Sequence, residues 1–193
     1  MGRKGFYFDM TSCIGCRTCQ IACKDKNDLK VGTIFRQART FETGVYPTPG
    51  VYHYSSSCNH CEHPKCVEGC PTGAMHVDEA DGTVQPDLTK CIGCRYCTWA
   101  CPYGVPQFIK ELGKVRKCDG CKDLRDKGGN PVCVEACPMR ALEWGDIDEL
   151  KAKHGNDTTR DLSILPKSSV TNPTIAIKAK PVALQKDYRY KEV

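Results

Sequence analysis

Apolar and polar positions alternate in short bursts along this chain. Phe6 to Asp9, Thr33 to Thr40 and Val51 to Tyr54 have the period of two, or the aromatic and β-branched content, of strands. Ala74 to Val77 and Thr83 to Gln85 flank an Asp81-Gly82 turn and predict a small hairpin. Helices are predicted to be brief, near Arg17 to Asp28, Lys65 to Gly69, Arg95 to Ala100 and Val132 to Ala136. Closing Cys-Pro pairs stop the last three, because proline offers no N–H and disfavours helix in the residue before it. Cys23 is followed by Lys24 instead, so the first helix can run on to about Asn27. Asp146 and Glu149 have capping-box spacing and Gly155 suits a position just past a helix end, which predicts a helix over Ile147 to His154.

The pattern weakens after about residue 156. Pro166, Pro173 and Pro181 interrupt a polar stretch in which only Ile175 to Ile177 reads as a strand. The apolar group Leu162, Ile164 and Leu165 is out of place in a purely solvated terminus, so residues 156–193 are expected to lie as an extended arm on a partner subunit, leaving the chain's own core to the rest. No run of eighteen apolar residues occurs, so no membrane span is expected.

Composition changes the picture at one residue type. The 193 residues include 16 cysteines, and much of the 40% hydrophobic fraction is cysteine and alanine. The cysteines form four runs of four with none left over: Cys13, Cys16, Cys19, Cys23; Cys58, Cys61, Cys66, Cys70; Cys91, Cys94, Cys97, Cys101; and Cys118, Cys121, Cys133, Cys137. The first and third, CIGCRTCQIAC and CIGCRYCTWACP, have the C-x2-C-x2-C-x3-C spacing that holds a [4Fe–4S] cluster. Disulfides fit poorly. Gly2 to Met10 lacks the apolar core and cleavage site of a secretory signal, and closely spaced cysteines in succession cannot all pair locally. Zinc is the stronger rival, since sixteen thiols make four all-cysteine sites and the second and fourth runs alone resemble zinc knuckles. A third cysteine just beyond C-x2-C, followed by Cys-Pro, is the ferredoxin habit. With so few large aliphatics, metal binding is expected to supply much of the folding free energy.

In two-cluster ferredoxins the fourth cysteine of each run crosses to the other cluster. The compact hairpin between Cys70 and Cys91 makes the second and third runs one unit, and by elimination the first run pairs with the fourth. The expected ligand sets are Cys13, Cys16, Cys19 with Cys137; Cys118, Cys121, Cys133 with Cys23; Cys58, Cys61, Cys66 with Cys101; and Cys91, Cys94, Cys97 with Cys70. CIGCRTCQIAC recurs as CIGCRYCTWAC, and PKCVEGCPTGAM is echoed by PVCVEACPMRAL, an internal duplication. The fold class is therefore α+β: two interleaved ferredoxin-like lobes, an inner one over 55–110 and an outer one combining 1–54 with 111–155.

Charge and the remaining residues narrow the function. The formal net charge is +5, all of it accounted for by residues 151–193. Each oxidised cluster with its four thiolates carries about −2, so the loaded protein is expected to be mildly acidic and no nucleic-acid binder. Arg17, Arg95 and Lys117 lie beside ligands, where they either raise reduction potentials or serve as solvated charges. His60 and His63 are expected to be ordinary loop residues, with a hydrogen bond to a cluster sulfur as the alternative. Trp99 and Tyr103 are expected to pack against a cluster. No nucleophile–base set, phosphate loop or dinucleotide fingerprint is present, so the chain is expected to move electrons without transforming a substrate.

With the motifs CNHCEHPKCVEGCPTGAMH, CIGCRYCTWACPYGVPQ, KCDGCKDL and CVEACPMRALEWGDIDELKAKHG in view, residues 5–180 resemble the iron–sulfur electron-transfer subunit of bacterial dimethyl sulfoxide reductase. The broader group serves molybdopterin oxidoreductases acting on polysulfide, thiosulfate, tetrathionate, formate and other substrates. The resemblance implies four [4Fe–4S] clusters with the ligand sets above, a catalytic partner holding molybdopterin, and a membrane anchor that oxidises quinol. It also implies a peripheral place on the bacterial cytoplasmic membrane, on the periplasmic face where the catalytic partner carries a twin-arginine signal. Nitrate reductase relatives have tryptophan at the position of Cys94 and a [3Fe–4S] cluster there, so Cys94 implies a cubane. A zinc-stabilised scaffold is the alternative from another class.

Overall fold

A computed structural model describes residues 2–155 and 157–191. β1 (Lys4–Asp9) buries Phe6, Tyr7 and Phe8 in succession instead of alternating, because both of its faces are covered. It lies between β8 (Leu142–Asp146), antiparallel, and β10 (Ile175–Lys178), parallel, with β9 (Thr158–Thr159) beyond β10. On one face Tyr7 and Ala176 meet Ile147 and Leu150 of α6 (Ile147–His154). That helix has its predicted bounds, with the Asp146 carboxylate accepting from the N–H groups of Asp148 and Glu149 at 3.0 and 3.4 Å. On the other face Phe6, Phe8, Leu142, Ile175 and Ile177 pack against Cys19, Cys133 and Cys137.

This sheet contains the strand expected at Ile175 to Ile177 and corrects the expectation that the chain's core does without the segment from 156 onward. Ile175, Ala176 and Ile177 form an internal strand, and Leu162 and Ala183 are buried beside it. β11 (Arg189–Lys191) then pairs with β2 (Gln37–Thr43), which forms a hairpin with β3 (Gly50–Ser56). Residues 157–191 thus contribute directly to this chain's own core. Burying a side chain such as Ile177 contributes about 1.5–3 kcal/mol, reason enough for the apolar positions in an otherwise polar segment.

The other strands are short. β4 (Met75–Val77) and β5 (Val84–Pro86) form the predicted hairpin. β6 (Gln107–Ile109) and β7 (Lys114–Arg116) form one that the sequence pattern does not signal, turning at Gly113, whose φ is +61°. Gln107 also explains why the strand expected over Thr33 to Thr40 begins only at Gln37. Its side-chain amide accepts from the Ile34 N–H at 3.0 Å and donates to the Ile34 carbonyl at 2.6 Å, taking both groups a ladder would have used. The helices are α1 (Thr18–Lys26), α2 (Lys65–Glu68), α3 (Tyr96–Ala100), α4 (Lys122–Arg125) and α5 (Val132–Glu135). α1 outlasts α3 by four residues, as expected where lysine instead of proline follows the last cysteine.

Cysteines run through the packing. Cys23, Cys58 and Cys118 are buried with Leu29 and Phe35, and Cys66 and Cys97 with Met75, Val84 and Val115. No helix among the described residues is long and apolar enough to cross a membrane.

Candidate functional site

Each cysteine run turns through a non-glycine residue in the left-handed region: Arg17, His60, Arg95 and Cys121. The duplication is visible in the backbone. Gly15 and Arg17 have φ of 69° and 63°, and Gly93 and Arg95 have 72° and 65°. A Cβ on Gly93 would stand 2.2 Å from the Gly113 carbonyl, so only glycine lets that loop close onto the β6–β7 turn.

The thiols influence one another's pKa values both within and between the four runs, Cys118 being raised by burial and Cys58, and Cys133 by burial, Cys118 and Cys19. Burial raises the Cys13 thiol's pKa, with Cys19, Cys137 and Cys16 adding to the rise and the Gly15 N–H opposing it. Burial also raises Cys23, alongside Cys118, Cys133 and Cys121. Cys61 and Cys66 are each pushed up to about 12, by burial first and then by Cys58 and Cys101 among others. Cys97 is pushed up to about 11 by burial and by Cys70, Cys91 and Cys94. One cavity is lined by Cys70, Cys91, Cys94 and Cys97, another by Cys58, Cys61, Cys66 and Cys101. Among the described residues, no three His, Cys, Asp or Glu side chains converge closely enough to hold a single metal ion. A tetrahedral zinc with Zn–S near 2.3 Å needs thiolates about 3.8 Å apart.

The donor set suits a polynuclear iron–sulfur group. Main-chain N–H groups of Met75 and Ala141 donate to Cys70 Sγ and Cys137 Sγ at 3.3 Å each. The Thr18 hydroxyl donates to Cys16 Sγ at 3.3 Å, and the Asn27 amide points at Cys23 Sγ from 3.8 Å. Such donors stabilise electron-rich sulfur. In this apolar setting the metal-free thiols with raised pKa values stay protonated at neutral pH, so loading iron releases protons.

Two buried cations link the thiol groups. Arg36, 2% exposed, donates from Nη1 to the Ser55 carbonyl at 3.2 Å and hydroxyl at 3.1 Å, and lies 4.4 Å over the Phe6 ring. Burial opposes its charge, and Cys133, Cys19, Cys118 and Cys23 more than offset that, raising its pKa. Lys117, 3% exposed, donates from Nζ to Val84 O at 2.5 Å, Cys118 O at 2.8 Å and Cys58 Sγ at 3.5 Å. Arg36 thus stands between the thiols of the first and fourth runs, and Lys117 between those of the fourth and second. Cys66, Cys97, Cys70 and Cys91 share one packing group, which joins the second and third. At the two extremes Cys16 and Cys94 are exposed.

The other sequence candidates divide. Of the three cations beside ligands, Lys117 is buried and touches a thiol, Arg95 is exposed and stacks 3.7 Å from the Phe108 ring centre, and Arg17 is half-buried. His63 is exposed, as a loop residue should be. His60 is not an ordinary loop residue. It is fully buried, its Nδ1 accepts from the Val84 N–H at 3.1 Å, and its carbonyl accepts from Arg3 and Thr174. Burial, with Lys117, Arg125 and Arg3 nearby, holds its pKa well below the usual value, so it stays neutral. Tyr103 lines the cavity beside Cys61 and Cys101, with its hydroxyl 3.2 Å from that of Thr171. Trp99 does not pack inward; it is 86% exposed. Two residues packed beside the thiols carry no signal in the sequence. Arg36 is hidden inside a predicted strand, and Trp144 packs edge-on against Phe6 and His60 and carries the Arg125 guanidinium 4.9 Å over its ring.

Known proteins are similar to this chain in sequence. Residues 50–147 match the 4Fe-4S dicluster domain family. The B polypeptide of anaerobic dimethyl sulfoxide reductase from Escherichia coli is 47% identical over 182 residues, 90% of this chain and 87% of that one. Its counterpart from Haemophilus influenzae is 43% identical over 187 residues, 92% and 90% of the two chains. The B polypeptide of sulfite dehydrogenase from Allochromatium vinosum is 36% identical over 170 residues, covering 77% and 71%. Cysteine runs that stand together in the fold, sulfur-directed N–H donors and near full-length likeness make this chain a member of the 4Fe-4S dicluster family, an iron–sulfur electron-transfer subunit of the kind found in dimethyl sulfoxide reductase.

Proposed function

We propose that the chain holds four [4Fe–4S] clusters and relays electrons from a quinol-oxidising membrane anchor to a molybdopterin catalytic subunit that reduces dimethyl sulfoxide or related S- and N-oxides. The ligand sets are Cys13, Cys16, Cys19, Cys137; Cys23, Cys118, Cys121, Cys133; Cys58, Cys61, Cys66, Cys101; and Cys70, Cys91, Cys94, Cys97. The first two sets belong to an outer lobe of residues 1–54 and 111–155, the last two to an inner lobe of residues 55–110. The observation that carries the reading is continuity. Arg36, Lys117 and the packing group around Val84 join the thiol groups in the order first, fourth, second, third run, with exposed cysteines at both ends. Each cluster, when bound, supplies a centre that gains and loses one electron.

The chain's own residues hold those centres in a row, direct N–H groups at sulfur and keep water from the interior ones. The sulfoxide branch is favoured because identity is 47% to the dimethyl sulfoxide reductase polypeptide against 36% to the sulfite dehydrogenase one. In this setting the chain sits peripherally on the cytoplasmic membrane, on the face where its catalytic partner is delivered.

Metal analysis tests the first step. About sixteen iron and sixteen acid-labile sulfide per chain are expected, with no intense [3Fe–4S] signal in fresh anaerobic protein; about four zinc ions would overturn the cluster reading. Identification of the co-purifying subunits tests the second. A molybdopterin chain, a multi-span anchor and quinol-dependent sulfoxide reduction are expected, and activity confined to polysulfide or tetrathionate would move the chain to another branch.

A further inference from the structure

Arg36 is the most deeply buried large cation of this protein, and its surroundings are unusual. Among the described residues it makes no ion pair with a carboxylate, and its buried Nε and Nη2, which carry three N–H bonds, find no oxygen or nitrogen acceptor and face the Cys133 thiol. Lys117 differs. Its ammonium, with three protons to give, has three acceptors within reach. A guanidinium sealed from water with three N–H bonds lacking an oxygen acceptor is costly unless a negative charge faces it. The groups that face it are Cys19 from the first run, Cys23, and Cys118 and Cys133 from the fourth, with Phe6 under its plane and Ser55 holding its remaining nitrogen. Thiolates ligating iron supply that negative charge, and reduction by one electron increases it.

We propose that Arg36 is the potential-setting residue of the outer half: its fixed positive charge and the three N–H bonds of Nε and Nη2 favour the reduced state of the two centres it stands between. The inference rests on the cluster reading above. It assigns those centres a stabilisation that the Cys91, Cys94, Cys97, Cys70 centre lacks, since the cation beside that loop, Arg95, is exposed and spent on the Phe108 ring. An electron entering the chain would settle next to Arg36 before leaving.

The test is an anaerobic redox titration of the loaded protein followed by electron paramagnetic resonance, on wild type, Arg36→Met, Arg36→Lys and, as a control, the exposed Arg39→Met. At the potential where each outer centre of wild type is half reduced, Arg36→Met should lower the reduced-to-oxidised ratio about tenfold, equivalent to about 59 mV for one electron. Arg36→Lys should recover part of that, and Arg39→Met should change nothing. A loaded Arg36→Met protein whose two centres shift less than twofold, or whose four centres all shift alike, overturns the proposal and assigns Arg36 a packing role. Should that variant fail to load, wild-type protein labelled with 15N in its arginine guanidinium groups decides. Hyperfine coupling from guanidinium nitrogen to a reduced outer centre is expected, and its absence overturns the proposal. Iron and sulfide content of the wild type keeps the two readings apart: an iron-poor wild type sinks the clusters, a loaded one with unmoved potentials sinks only Arg36.

Discussion

The loops Cys13–Cys23 and Cys91–Cys101 are near copies in sequence and share a backbone, yet they rest on different foundations. Behind the first lies a four-stranded sheet whose aromatic and aliphatic side chains pack directly onto Cys19, Cys133 and Cys137. Behind the second lie two hairpins of two strands each, and the smaller packing group around it holds Cys66, Cys70, Cys91 and Cys97, with Met75, Val84 and Val115 as its buried apolar members. A ligand loop therefore fixes local geometry through its left-handed turns and leaves global support to whatever surrounds it. Where the sheet is absent, the metal must do more of the work.

Removing the metal should break the symmetry most visibly. The chelated, metal-free chain is expected to lose cooperative melting, and hydrogen exchange should be fastest over residues 58–117, with amides of β1, β8 and β10 the last to exchange. Equal loss of protection in both halves would mean that the sheet gives no independent support. A metal-free form that still melts cooperatively would sink the idea that clusters stabilise the inner half at all.

The next largest effect concerns the segment whose sequence pattern pointed to a partner. Ile177 is fully buried in β10, so Ile177→Asp places an unpaired carboxylate in the core and should cost about 3–5 kcal/mol, measured by denaturant unfolding of the loaded protein. Ile92→Asp in the second loop, at a position 67% exposed, should cost less than about 0.5 kcal/mol. A tolerated Ile177→Asp would restore the tail to a purely external role.

That segment shows where the sequence stops being legible. Short-range signals are sufficient wherever the chain closes on itself locally. Cysteine spacing marks the runs, Asp146 and Gly155 bound α6, and Asp81-Gly82 marks the β4–β5 turn. Long-range pairing is invisible. β10 joins β1 in parallel across some 169 residues, Phe6 to Ile175, and neither strand announces its partner. Arg36 is hidden for a related reason: a charged residue in an alternating stretch reads as solvent-facing, and only the three-dimensional convergence of Cys19, Cys23, Cys118 and Cys133 makes its burial intelligible.

The smallest expected effect on stability carries the sharpest contrast between the loops. Their outer faces differ: Ile21 of α1 is 60% exposed, whereas α3 presents both Tyr96 at 56% and Trp99 at 86%. Trp99 contributes almost nothing to the chain's own packing, so Trp99→Ala should change unfolding free energy by less than about 0.5 kcal/mol and leave iron content intact. Truncating Phe6, the ring packed beneath Arg36 and against Trp144, should by contrast cost about 3–5 kcal/mol. In the complex proposed above, Trp99→Ala should weaken association with a co-purifying subunit about tenfold or more in a pull-down titration. Ile21→Ala, on the other loop, should leave the same contact untouched. Equal losses from both variants would show that the two loops meet one continuous partner surface, and the difference in their aromatic faces would then carry no division of labour.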